Sequence, residues 1–150
     1  MTNTAVRNWH HTSLAVKDLS LAANFYQQAF GFEVQFEERG MQQQIEQMTG
    51  VSGLACDIAQ LRSPCSNHVL ELVAFNTNEA DDWETDPEPI RPGMAHVAFY
   101  VDDLEAAATI VEDLGAVRLG EVTDFSDGRS VYYREPAGSF FEMEELDEDS

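Results

Sequence analysis

Hydrophobic and polar residues alternate at the start of the chain and then change to a helical spacing. Thr12, Leu14 and Val16 lie at every second position, which predicts a β-strand with one buried face. The next segment, LSLAANFYQQAF, begins after Asp18, a residue type that caps helices, and ends before Gly31. One stripe of this predicted helix carries five residues: Leu19, Ala22, Ala23, Tyr26 and Phe30. With FEVQFEE behind it, the pattern predicts strand, helix and strand.

The same succession of features returns in the second half of the chain, in HVAFYVDDLEAAATIVEDLGAVRL. In both copies a histidine precedes an apolar strand and an aspartate follows it, as in His11 with Asp18 and His96 with Asp103. An alanine-rich helix and a glycine come next in both. His11 and His96 are 85 residues apart, so the chain contains an internal repeat at this offset. A repeated supersecondary unit indicates that one copy does not bury its sheet face alone.

Each copy continues with further strands. In the first copy the runs LACDIAQLRS and NHVLELVAF flank a turn rich in serine, and the short helix MQQQIEQMTG precedes them. In the second copy RSVYYRE and SFFEMEEL flank the tight turn EPAG. We therefore predict an α+β fold, a single domain of two βαβββ modules at about residues 8–76 and 94–146. Segment 77–93, polar and proline-bearing, is the predicted linker, and an acidic tail runs to residue 150.

The charge of the chain narrows the range of partners. It carries 28 acidic and 8 basic residues, a formal net charge of −20. Such a surface repels phosphate backbones and anionic lipids, so we expect no nucleic-acid or membrane partner. No apolar run approaches the length of a membrane span, and the N-terminus lacks the form of a signal peptide. Cys56 and Cys65 lack metal-motif spacing and suit a reducing compartment, so a cytoplasmic location is expected.

Four residues with ligand chemistry lie at equivalent places in the two modules. His11 and His96 stand at the first strands, and Glu71 and Glu142 interrupt the apolar last strands. A carboxylate in such a strand needs water, a partner or a metal. Two imidazoles and two carboxylates form a neutral shell around one divalent ion, and an octahedral ion keeps two positions open for a bidentate substrate. Each residue alone is more often structural or exposed, but four at equivalent points of a repeat favour a metal site.

These motifs resemble the vicinal oxygen chelate superfamily, which includes glyoxalase I, fosfomycin-resistance proteins, bleomycin-resistance proteins and extradiol dioxygenases. HHTSLAVKDLSLAANFYQQAFGFEV resembles the opening of the family's first module, with His11 at the ligand position, and GMAHVAFYVDDLEAA resembles the second opening, with His96. REPAGSFFEMEEL is similar to the family's ending, with Glu142 as ligand and Glu135 in place of the usual aspartate. Glu71 matches the first-module carboxylate of glyoxalase I. The implied ligand set is therefore closest to that of glyoxalase I.

The resemblance leaves three functions open. The first is a lyase or isomerase with one divalent ion (Ni, Zn, Co, Mn or Fe), which stabilises an enediolate of a substrate with adjacent oxygens while Glu142 or Glu71 moves the proton. The second is a ring-cleaving dioxygenase with Fe(II), for which Glu71 is a surplus ligand. The third is a non-catalytic binding or resistance protein, against which the complete ligand set argues. Glyoxalase I is expected to carry a glutathione-binding arginine where this chain has Ala15, so glutathione does not fit the pattern.

Three further residues are candidates for the substrate pocket. Tyr100 shares the strand face of His96 by parity. Tyr133, or its neighbour Tyr132, lies on an adjacent predicted strand. Arg62 is one of few cations in an acidic chain and could meet an anionic substrate.

The predicted assembly is a homodimer. Open sheets of this kind have exposed edges, which proteins cover by pairing. Trp9 and Trp83 lie outside the predicted core pattern and could fill an interface. The sequence leaves open whether one chain or two build each metal site.

Overall fold

The fold is taken from a computed structural model, which describes residues 9–76 and 96–148. The predicted linker and Trp83 lie outside the described residues. The elements of the first module are β1 (His11–Ala15), α1 (Leu19–Phe30), β2 (Glu33–Met41), α2 (Gln43–Thr49), β3 (Cys56–Arg62) and β4 (Val69–Phe75). Those of the second module are β5 (Val97–Tyr100), α3 (Leu104–Asp113), β6 (Val117–Arg118), β7 (Thr123–Phe125), β8 (Gly128–Arg134) and β9 (Phe140–Leu146).

The strands form two mixed sheets with the same topology. The first sheet has the order β1-β4-β3-β2, and the second has the order β5-β9-β8-β6. In each sheet the first strand runs parallel to the last strand of its module, whereas the other neighbours are antiparallel. The predicted α+β fold of two βαβββ modules is confirmed.

One short strand was not predicted. Strand β7 pairs with β8 through a hairpin in which Phe125 lies opposite Gly128. Its three residues, Thr-Asp-Phe, are too few to display a period-two pattern, and the Ser-Asp-Gly that follows is a turn sequence. The addition extends the second sheet without changing the order of its main strands.

The aspartates of the repeat cap the two main helices. The Asp18 carboxylate accepts a hydrogen bond from the Leu21 backbone N–H at 2.9 Å, and Asp103 does the same for Ala106 at 3.0 Å. Gly31 caps the C-terminus of α1, and its φ of 73° is the left-handed conformation that glycine adopts most easily. Equivalent caps at equivalent positions explain why both helices begin at the same point relative to their preceding strands.

A single hydrophobic core joins the two modules. It is formed by α1, α3 and one face of each sheet, and it includes residues such as Leu14, Leu72, Phe141 and Met143. Aromatic rings of α1 cross from the first module to the second: Phe30 stacks on Phe99 with centroids 3.9 Å apart, and Phe25 lies 5.6 Å from Phe141. Strands β1, β4, β5 and β9 each have one face in this core, and their side chains on the opposite face lie outside it. Among the described residues, no helix is long and apolar enough to cross a membrane.

Candidate metal centre

The first predicted ligand pair lies on neighbouring parallel strands. Ser13 of β1 is in register with Glu71 of β4, which places the side chain of Glu71 on the same face as that of His11. His11 Nε2 lies 3.6 Å from Glu71 Oε2, with side-chain exposures of 35% and 13%. Gln60, opposite Glu71 on β3, donates its amide Nε2–H to Glu71 Oε2 at 2.9 Å. Glu71 is thus held between a histidine and an amide donor.

The second pair repeats this arrangement on β5 and β9. Ala98 is in register with Glu142, and His96 Nε2 lies 3.0 Å from Glu142 Oε2. The ring of Tyr132 lies 4.9 Å from that of His96, and Tyr132 is opposite Glu142 in the register, where the first module has Gln60. A second carboxyl group, Glu144, shares this face. Burial, then the charge of Glu142 and a hydrogen bond to it, raise the pKa of Glu144.

The spacing of each pair fits ligation of one ion. Two donors at about 2.1 Å from an ion lie about 3.0 Å apart at an octahedral right angle and about 3.4 Å apart at a tetrahedral angle. The pairs at 3.0 and 3.6 Å agree with these values to within a few tenths of an ångström. Imidazole nitrogen and carboxylate oxygen are also the donor types that Mn, Fe, Co, Ni and Zn accept in proteins. The donor types and the spacing of each pair are therefore compatible with ligation of one ion.

The four predicted ligands do not meet within one chain. Among the described residues, three histidine, cysteine or acidic ligand atoms lie within 4.8 Å of one another only in the group of Asp103, Glu105 and Glu145. That group already contains a cation, because Arg129 Nη2 lies 2.5 Å from Glu105 and 3.3 Å from Glu145. The structure thus brings His11 to Glu71 and His96 to Glu142, but it does not bring the two pairs together.

The predicted pocket residues differ in where they lie. Tyr100 is 63% exposed on the ligand-bearing face of β5. Tyr133 lies in the core instead, fully buried and stacked on Phe141, with its hydroxyl donating to Glu112 at 2.9 Å. It is Tyr132 that lies beside the His96–Glu142 pair. Sequence alternation allowed either tyrosine, and only the register of β8 against β9 decides between them.

Arg62 lies at the end of β3, on the same sheet face as Gln60 and Glu71. Its guanidinium pairs with Glu33 at 2.9 Å, and both side chains are more than half exposed. An exposed ion pair of this kind contributes little stability and exchanges readily with solvent. Arg62 is therefore accessible to an anionic group that approaches the first ligand pair.

A cavity of about 490 Å³ opens between the two modules next to β1 and β5. Its walls include Phe30, Phe99, Tyr100, His68 and Cys65. None of the described residues that line it is an aspartate, glutamate, lysine or arginine, although the chain has 28 acidic residues. The cavity is thus a mostly apolar space beside β1, which begins with His11, and β5, which His96 precedes.

Comparison with known proteins identifies the family. The model of the Glyoxalase/Bleomycin resistance protein/Dioxygenase superfamily matches residues 8–143. The chain belongs to this superfamily, and the resemblance drawn from its motifs is confirmed. A search of curated protein sequences gives no match.

Solved structures share the fold at low sequence identity. A glyoxalase family protein from Bacillus cereus superposes with a TM-score of 0.83 at 21% identity, covering 97% of this chain and 98% of that one. The fosfomycin resistance protein FosX from Listeria monocytogenes gives 0.65 at 15% identity, covering 97% and 98%. An antibiotic binding protein from a Streptomyces species gives 0.61 at 19% identity, covering 97% and 100%. One structure of a FosX mutant holds Mn(II) with a dihydroxypropylphosphonic acid, so a divalent metal occurs within this fold.

Proposed function

We propose that the protein is a divalent-metal-dependent lyase or isomerase whose ligands are His11, Glu71, His96 and Glu142. The observation that carries this proposal is the presence of two histidine–glutamate pairs, at 3.6 and 3.0 Å, on equivalent strands of the two modules. A merely exposed histidine would not need a half-buried carboxylate as its neighbour in both copies. The two carboxylates also balance the charge of a divalent ion.

Each complete site is formed by two chains, in this proposal. The pairs stay apart within the chain, and each occupies the sheet face that does not line the core. The same faces carry large exposed hydrophobic side chains, among them Phe36, Tyr100, Phe125 and Tyr132. Strands β1 and β5 are sheet edges, each with a strand neighbour on one side only among the described residues. A homodimer that sets the first module of one chain against the second module of the other covers these features and unites the pairs.

The two glutamates have different roles in this site. The Gln60 amide binds Glu71 Oε2 and restrains that carboxylate, which suits a fixed ligand. Glu142 lies opposite Tyr132 instead of an amide, so it is the carboxylate that takes a proton from substrate carbon and returns it to the neighbouring atom. A bound divalent ion would acidify that carbon by drawing electron density from the adjacent oxygens.

The substrate is a small molecule with two adjacent oxygens. Tyr100 offers an apolar wall near the second pair, and Arg62 offers a cation on the face of the first. Ala15 projects from the His11 face and has no charge, so a glutathione adduct lacks its expected anchor. We expect the adduct of methylglyoxal and glutathione to be turned over poorly, which a coupled absorbance assay measures. Rapid turnover would mean that Arg62 or another cation holds the glutathione carboxylates.

Metal content tests the site directly. The native protein should bind one equivalent of Mn(II), Co(II), Ni(II) or Zn(II) per chain, measured by elemental analysis after desalting. His96→Ala should lose this metal while keeping the far-ultraviolet spectrum of the native protein and the melting temperature of the metal-free native protein. His68→Ala is the matched control, because the His68 ring contacts Ser66 and neither ligand pair. Unchanged metal content in His96→Ala would disprove the proposed ligand set.

Proton exchange tests the chemistry. Incubation of α-hydroxy carbonyl compounds with the Mn(II) or Ni(II) protein in deuterated water should introduce deuterium at the carbon next to the carbonyl. Glu142→Gln should stop this exchange, whereas an exchange rate equal to native would exclude Glu142 as the base. If purified protein instead holds iron and consumes oxygen with catechols, the dioxygenase function is the correct one.

A further inference from the structure

His10 precedes the proposed ligand His11 and touches it. His10 Nδ1 lies 2.8 Å from His11 Nδ1, and the rings meet edge to face with centroids 5.1 Å apart. His11 Nε2, on the other side of the ring, is the atom directed at Glu71. The two nitrogens of His11 therefore have separate partners, one on each side.

The contact between two Nδ1 atoms restricts the tautomers of both rings. A hydrogen bond at this distance needs one protonated nitrogen and one free lone pair. If His11 is to bind a cation through Nε2, its Nε2 must carry the lone pair and its single proton must lie on Nδ1. His11 then donates to His10, and neutral His10 carries its own proton on Nε2. The geometry thus admits one arrangement compatible with metal ligation.

We infer that His10 is a positioning residue, which accepts the Nδ1–H of His11 and thereby holds the ring and its tautomer ready for the metal. This inference rests on the proposed metal site. Ligating histidines usually donate their second ring nitrogen to a carboxylate, carbonyl or water, and loss of that partner lowers metal affinity about 10- to 100-fold. Here a neighbouring histidine takes the place of the usual oxygen acceptor.

The role of His10 belongs to one module only. The residue 85 positions further on, which precedes His96, is Ala95, and its side chain has no hydrogen-bond acceptor. The repeat therefore preserves the ligands but not this support. Loss of His10 should weaken the His11–Glu71 half of the site and leave the His96–Glu142 half as it is.

Three variants separate the acceptor role from packing. His10→Leu keeps a branched side chain but removes the acceptor, whereas His10→Asn places an amide oxygen near the position of Nδ1. His68→Leu makes the same change at a histidine outside the site. Co(II) affinity is measured for each dimeric protein by competition with a chromogenic chelator, and the d–d absorption of bound Co(II) reports its ligand geometry. His10 is exposed, so these variants should fold, which melting curves verify.

We expect His10→Leu to bind Co(II) about 10- to 100-fold more weakly, with a changed d–d spectrum. His10→Asn should recover most of the affinity, and His68→Leu should equal native. Native affinity in His10→Leu would overturn the inference while leaving the proposed metal site intact. Equal losses in His10→Leu and His10→Asn would also overturn it, since the acceptor would then be irrelevant. If native protein bound no Co(II), or His11→Ala bound it fully, the proposed function itself would fail.

Discussion

Mixing two differently damaged chains tests whether one chain or two build the metal site. His11→Ala breaks the pair of the first module, and His96→Ala breaks the pair of the second. If each site joins the first module of one chain to the second module of its partner, a mixed dimer contains one site with all four ligands. Its other site lacks both histidines. If each site belonged to one chain, every site in the mixture would lack one histidine.

The expected recovery follows from the pairing statistics. Chains co-expressed in equal amounts with random assortment form mixed dimers in about half of cases, and each mixed dimer has one intact site of two. Metal content should therefore rise to about a quarter of native, above the near-zero content of either variant alone. The assay is elemental analysis of the co-expressed protein. Two different affinity tags isolate the mixed dimers, whose metal content should be about half that of the native protein.

A pair of lesions within the same module is the matched control. Here His11→Ala chains are co-expressed with Glu71→Ala chains. The first module is damaged in both, so no mixed dimer has an intact site. The metal content of this mixture should stay at the level of the parent variants. If the metal content of the mixture of His11→Ala and His96→Ala chains also stays at that level, the two-chain site is refuted. This conclusion requires that the native protein binds metal and that the tagged mixed dimers form. The separation of the two pairs would then have to close within one chain on metal binding.

Three further predictions concern stability and assembly. The net charge of −20 opposes self-association, and salt screens this repulsion because the Debye length falls from about 30 Å at 0.01 M to about 8 Å at 0.15 M. Sedimentation should therefore show a dimer whose dissociation constant falls as salt is added. A monomer at all salt concentrations would contradict this prediction. Phe141→Ala removes a fully buried ring packed against Tyr133 and should lower the free energy of unfolding by about 3–5 kcal/mol in urea. Met48→Ala on α2, at a side chain that is 81% exposed, should change it little. Burial raises the pKa of Glu135, so the unfolded chain loses this proton at a lower pH than the folded protein does. The contribution of Glu135 to stability is therefore fully present below its unfolded pKa and falls as the pH rises to its folded pKa. Relative to Glu135→Gln, which does not titrate, the native free energy of unfolding should therefore decline over that range, and parallel curves would show that burial does not perturb this carboxyl group.

Local features of the sequence were enough to predict the repeat and most of its elements. The helix starts at Asp18 and Asp103 follow from capping, which is a local interaction between a side chain and the next turn of backbone. The alternation in β1 identified the face that carries His11, because side chains in a strand point alternately to opposite sides. The family, confirmed by the match over residues 8–143, is likewise contained in these local motifs.

Side-chain placement across strands required the tertiary structure. The choice between Tyr132 and Tyr133 depends on how β8 registers against β9, and a shift of one residue exchanges the two faces. The Gln60–Glu71 bond likewise joins separate strands. Strand β7 was missed because three residues carry too little pattern.

The separation of the two ligand pairs could also be found only in the structure. Sequence equivalence places His11 and Glu71 in one module and His96 and Glu142 in the other, and it predicts both pairs. It does not determine how two modules pack, because that depends on the shared aromatic core, such as Phe30 stacked on Phe99. Contacts between residues far apart in the chain decide this packing, and alternation along a single strand holds no information about them.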